Sequence, residues 1–129
     1  MVSKIRSERI ADRIQEELSE MLISEISDPR LLGVSITDVT VDRELTLAHI
    51  YFSALEGEER AKEVLEGFHH AQGYFRRELS RRIALRVFPR LSFHWDPTFE
   101  RAEKIERLIA SLHQSSDAAD DSVQDEESD

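Results

Sequence analysis

Cysteine is absent from the 129 residues, so neither a disulfide framework nor a thiolate-held metal can form, and thiol nucleophiles are excluded with them. Glycine and proline are scarce, at four and three. That leaves little material for a phosphate-cradling loop, and no Walker, dinucleotide-binding or GxSxG pattern occurs. Lysine is rare as well (Lys4, Lys62 and Lys104), so the cationic surface is carried by arginine. No run of about eighteen apolar residues is present to cross a membrane, and Met1-Val2-Ser3-Lys4-Ile5-Arg6 lacks the apolar stretch of a secretory signal. A cytoplasmic protein with no cofactor and no membrane partner is expected, folded as one domain held by packing.

The net charge of −10 argues against a polyanionic partner only until it is counted by segment. Seven of the 27 acids and none of the 17 bases follow Gln114 (Asp117, Asp120, Asp121, Asp125, Glu126, Glu127 and Asp129), which leaves 17 bases against 20 acids before it. The Ser/Asp/Glu-rich end has no periodicity and is expected to be disordered, giving a folded domain over 1–113 and an acidic tail over 114–129. Within the domain, Arg76, Arg77, Arg81, Arg82, Arg86 and Arg90 face a single acid in their segment, Glu78.

Apolar spacing sets the order of elements. Ile10, Ile14, Leu18, Met21 and Leu22 recur at helical intervals from Ile5 to Ile26, and Asp28-Pro29 ends that helix. Val34–Val41 alternates with period two, but its parity shifts between Ile36 and Val39, which predicts a strand with a bulge near Thr37-Asp38. Leu45–Ala54 reads as its antiparallel partner, with Ala48, Ile50 and Phe52 on one face and His49 and Tyr51 on the other. Val64, Leu65 and Phe68 mark a further helix, and Phe75, Leu79 and Ile83 another, with Ala71-Gln72-Gly73 between them as a small-residue kink. Leu91, Phe93 and Trp95 alternate as a third strand entered through Pro89, with Trp95 expected in the core. Ala102, Ile105, Leu108, Ile109 and Leu112 sketch a short final helix. The fold class is therefore α+β, in the order α-β-β-α-α-β, with a kinked helix pair packed on a three-stranded sheet.

The arginine segment is the dominant electrostatic feature. A guanidinium fork binds phosphate in a bidentate way and stacks on bases, so Arg76 to Arg90 suits RNA; a solvated helix face pairing with local acids is the plainer account. Arg6, Arg9 and Arg13 share one side of the first helix and form a second, smaller basic stripe, which suits RNA contact and, since Glu8 and Asp12 lie among the bases, surface ion pairing equally well. The kink at Ala71 and Gly73 serves equally as an ordinary helix-to-helix turn. Histidine offers little, since adjacent His69-His70 cannot share a helical face and His49, His94 and His113 stand apart in sequence, so no metal is expected.

The α-β-β-α-α-β order resembles the bacterial type (type II) of the KH fold, whose helix junction normally reads GXXG. Here the junction reads Ala71-Gln72-Gly73. With Ser7–Ala11, Ile26-Ser27-Asp28-Pro29-Arg30, Ala71–Leu79 and Arg86-Val87-Phe88-Pro89-Arg90-Leu91-Ser92-Phe93, matched in order between about Lys4 and Leu112, the chain resembles the ribosome-binding factor A family. The resemblance implies a KH-like, non-catalytic factor that binds the free small ribosomal subunit (30S) and its rRNA late in assembly. It further implies support for 16S rRNA maturation and for growth in the cold, and a separate GTPase in release. RNA contact would fall on Arg76, Arg77, Arg81, Arg82, Arg86 and Arg90, and the kink on Ala71 and Gly73. A monomer is expected.

Three other readings compete. A KH-like module on a non-ribosomal RNA shares the element order. A nuclease would have to draw on Asp38, Asp42, Glu44 and His49, in and beside the hairpin. A protein-binding adaptor would make the arginines dispensable for RNA.

Overall fold

The first helix begins where Ser3 can cap it. In the computed structural model, which describes residues 1–98 and 105–113, the Ser3 hydroxyl accepts from the Arg6 amide at 3.0 Å and α1 runs Lys4–Ser24. It ends two residues short of the expected Ile26. Its buried stripe is Ile10, Ala11, Ile14, Leu18 and Met21. The Asp28 carboxylate then caps a short 3₁₀ turn over Pro29–Leu31 by accepting from the Arg30 amide at 2.9 Å.

Strands β1 (Val34–Val41) and β2 (Leu47–Ala54) pair antiparallel as expected, and the register shifts between Ile36 and Asp38. That shift is the bulge: it lets Ile36 and Val39, three positions apart, both reach the core. At the turn Leu45 adopts φ +59°, a left-handed conformation rare outside glycine. The Asp42 carboxylate holds it there, accepting from the Thr46 and Leu47 amides at 2.8 and 2.9 Å and from the Thr46 hydroxyl at 2.6 Å.

Residues Ala61–Arg82 form a single 22-residue helix, α2. This corrects the expectation of two helices separated by a junction. Ala71-Gln72-Gly73 stays helical, and the positive-φ glycines are Gly33 and Gly57, not Gly73. The physical reason is the stripe Val64, Phe68, Phe75 and Leu79, which is fully buried on both sides of the junction; an unbroken helix keeps all four in the core. The small residue that a close approach requires is Gly67 instead, where an added Cβ would come within 2.9 Å of Leu31 Cδ2.

Strand β3 (Arg90–Trp95) lies parallel to β2, so the sheet order is β1-β2-β3 with β2 in the centre. Strict alternation along β2 buries Ala48, Ile50, Phe52 and Ala54 beneath the helices. Phe68 of α2 stacks on Phe93 of β3 with ring centroids 4.3 Å apart and meets Phe52 at 5.1 Å. Trp95, partly buried, packs edge-on against Phe52 at 5.6 Å, which places it at the core as expected.

The chain divides into two units after Asp96. In the second, residues 105–113 are helical, in line with the short final helix; Ala102 and the acidic tail 114–129 lie outside the described residues. Among the described residues no helix is long and apolar enough to cross a membrane.

Candidate nucleic-acid interface

The nine arginines singled out in the sequence do not form one patch. Four of them, Arg6 at the start of α1, Arg76 in the second half of α2, Arg86 in the connection to β3 and Arg90 at its first residue, line one open hollow of about 580 Å³. Its walls include Leu85, Val87 and Phe88, and Glu44 is the acid in its lining. Arg76 is anchored rather than free: its Nη2 donates to the Phe88 carbonyl at 2.7 Å and its Nε to the Pro89 carbonyl at 3.2 Å. It therefore fixes the α2–β3 connection that presents Arg86 and Arg90. A neighbouring depression is lined by Gly73, Arg76, Arg77, Ser80 and Phe88, and Arg77 sits 5.9 Å over the Tyr74 ring.

Arg13, Arg81 and Arg82 behave differently, because carboxylates from α1 and α2 meet them. Arg82 reaches Glu25 at 2.6 Å, Glu17 at 3.2 Å and Glu78 at 3.6 Å. Arg81 pairs with Glu78 at 2.9 Å, and Arg13 pairs with Glu17 at 3.3 Å while donating to the Arg82 carbonyl at 3.1 Å. The Arg82 guanidinium, and after it the Tyr74 hydroxyl 3.0 Å away, hold Glu25 below the usual carboxylate range. This network staples the C-terminal half of α2 to α1. Arg9 is exposed, outside the lining of the hollow, and forms no ion pair among the described residues. Ala71 is partly buried and Gly73 exposed, with nothing within 4 Å of an added Cβ at Gly73.

The residues set aside for a nuclease do not converge. Asp42 is occupied in the turn, Asp38 Oδ1 accepts from the Val39 amide at 2.9 Å, and Glu44 faces the arginine hollow. Among the described residues no three His, Cys, Asp or Glu side chains are grouped to hold a metal ion. His49, however, is not isolated. It meets His94 across β2 and β3, ring nitrogen to ring nitrogen at 2.8 Å, a contact sequence reading missed because parallel pairing of distant strands leaves no local signal. Arg60 was missed too. It clamps α2 to the turn before β1 by donating to the Leu32 and Arg30 carbonyls at 2.8 and 3.0 Å.

Comparison with known proteins bears on this arrangement. The family model described as ribosome-binding factor A matches residues 6–109. Curated proteins of that name include one from Aromatoleum aromaticum, 36% identical over 113 residues (88% of this chain and 89% of that protein). Another, from Nitrosomonas europaea, is 42% identical over 104 residues (81% and 89%). Among solved structures, the Thermotoga maritima ribosome-binding factor A candidate superposes with a TM-score of 0.62 at 28% identity, covering 73% of this chain and 90% of that one. Ribosome-binding factor A from Thermus thermophilus gives 0.61 at 24% identity over 69% and 93%. A homology model of the Thermus factor, as fitted into an electron cryo-microscopy map of its 30S complex, gives 0.58 at 24% identity over 70% and 96%.

Proposed function

The chain belongs to the ribosome-binding factor A family, and on that premise we propose that it binds the free small ribosomal subunit during late assembly and supports maturation of 16S rRNA. It does so by holding folded rRNA, without catalysis. The observation that carries this reading is the hollow in which Arg6, Arg76, Arg86 and Arg90 arrive from four places in the chain with one carboxylate, Glu44, in its lining. Guanidinium groups so gathered fit the closely spaced phosphates of a folded RNA backbone. Arg77 extends the positive surface along α2. Arg13, Arg81 and Arg82 contribute support from behind, by bonding α2 to α1. Release through a ribosome-dependent GTPase, action as a monomer and a cytoplasmic location complete the proposal by family resemblance.

Co-sedimentation of the purified chain with small subunits, large subunits and whole ribosomes across a salt series tests it. Selective, salt-sensitive retention on free small subunits is expected. Equal retention on all three, or none, would return the protein to a generic RNA-binding or protein-binding domain.

A further inference from the structure

The face of the sheet turned away from α1 and α2 carries a group of side chains that lies outside the lining of the arginine hollow. Odd-numbered positions of β2 and even-numbered positions of β3 share this face, placing His49 in register with Ser92 and Tyr51 in register with His94. His49 Nδ1 and His94 Nε2 face each other at 2.8 Å, and the Ser92 hydroxyl lies 3.1 Å from the same His94 nitrogen. The Tyr51 ring closes the group, 5.2 Å from His94 and 6.5 Å from His49. All four side chains are partly buried.

A hydrogen bond between two imidazoles has a strict proton requirement. One nitrogen must donate and the other must accept, so the bond survives with both rings neutral or with one of them protonated. When both rings are protonated, both facing nitrogens carry hydrogen and the contact becomes a repulsion between like charges at 2.8 Å. A metal ion is a poor occupant of this gap, because no third His, Cys, Asp or Glu joins the pair among the described residues. Among the described residues, the groups facing the pair do not rescue a second proton. Ser92 and Tyr51 bring hydroxyls, Thr40 of β1 stands in register with His49, and Arg90 lies on the same face of β3. Asp38 of β1 is in register with Tyr51 but spends one carboxylate oxygen on the Val39 amide, and Asp96 accepts the Thr37 hydroxyl at 2.6 Å.

We propose that the His49–His94 pair is an acid-operated latch holding β3 to β2, closed while one facing nitrogen carries a proton and the other does not, and open when both carry one. Burial and then the His49 charge keep His94 below the ordinary imidazole value, in agreement with a pair that resists its last proton. Because β3 is bonded to the sheet on its β2 side only, opening loosens the strand locally and leaves the β1–β2 hairpin intact. The latch stands whatever ligand the arginine hollow takes.

The test is amide hydrogen exchange of the full chain at pH 7.5 and pH 5.0, corrected for intrinsic rates, together with NMR titration of the histidine rings. Protection of β3 amides should fall at least tenfold at the lower pH while β1–β2 protection changes less than threefold. His49→Phe, which keeps a ring but cannot take a proton, should remove the pH dependence; His94→Gln serves if that variant folds poorly. A variant carrying His69→Gln and His70→Gln should behave as the parent. Equal loss of protection in the parent and in His49→Phe, or His94 titrating identically with and without His49, would overturn the latch.

Discussion

Two sets of three arginines offer a comparison in which net charge is held constant. Changing Arg6, Arg86 and Arg90 to alanine removes three positive charges from the hollow and spares Arg76, whose bonds to the Phe88 and Pro89 carbonyls hold the connection in shape. Changing Arg13, Arg81 and Arg82 removes the same charge from the carboxylate-paired network. Each phosphate contact contributes about 0.9 to the slope of log affinity against log salt when a duplex is bound, so losing three contacts should flatten the slope by about 2.7. Between about 50 and 200 mM salt the parent should therefore lose about 40-fold more affinity for small subunits than the first variant does. The second variant should keep the parental slope to within about one contact and lose thermal stability instead, because Glu17, Glu25 and Glu78 lose their arginine partners. Filter binding or sedimentation at four salt concentrations, with melting curves for both variants, decides the matter. If the two variants flatten the slope equally, the attraction is a general field and the hollow has no special part in it.

Gly67→Ala and Gly73→Ala should act in opposite directions on stability. The first drives a Cβ to 2.9 Å from Leu31 and should cost about 1 kcal/mol net after the helix-propensity gain; the second meets nothing within 4 Å and should stabilise by about 0.5–1 kcal/mol, as chemical denaturation would show. A Gly73→Ala variant that is more stable yet binds small subunits poorly would mean that the bound state bends α2 there. Phe68→Ala should cost about 3–5 kcal/mol, because the ring is fully buried against Phe52, Phe75 and Phe93; a loss below about 1.5 kcal/mol in the same assay would contradict that packing. The Arg30 guanidinium, and next the Arg30 amide, pull Asp28 from its ordinary 3.8 down to about 2. Its folded pKa is depressed, so its contribution is complete above about pH 4 and disappears as pH falls toward 2. Asp28→Asn should accordingly lower the melting temperature at pH 7 and do so much less near pH 2; an equal loss at both would assign the effect to the cap's shape instead of its charge.

The bulge in β1 was legible because Ile36 and Val39 break parity by one residue, and a partly buried apolar pattern has no other way to keep both inside. Helix α1 was legible for the same kind of reason, with near four-residue spacing stopped by Asp28-Pro29, whereas its Ser3 cap is seen only in the structure. The junction in α2 misled because small residues mark a place where a helix can break, whereas Phe68 and Phe75 on either side decide whether it does. The split among the arginines was illegible. Within their own segment Glu78 is the only acid, while Glu17 comes from α1 and Glu25 from its C-cap, both distant in sequence, and only the folded chain shows that they reach Arg82. The histidine pair is hidden likewise, since β2 and β3 are brought together across the whole of α2.

That crossover also sets a timetable. The β1–β2 hairpin closes over a short turn, but docking β3 beside β2 closes a loop that runs from Leu55 to Pro89, and loop-closure entropy is paid before such distant pairing is rewarded. Leu91→Ala is thus expected to speed unfolding and leave the refolding rate nearly unchanged in stopped-flow measurements. Since Arg90 opens β3 and Arg86 precedes it, the hollow is complete only once β3 has docked. A chain still emerging or half folded has no grip to offer, and only a finished molecule can take hold of its ligand.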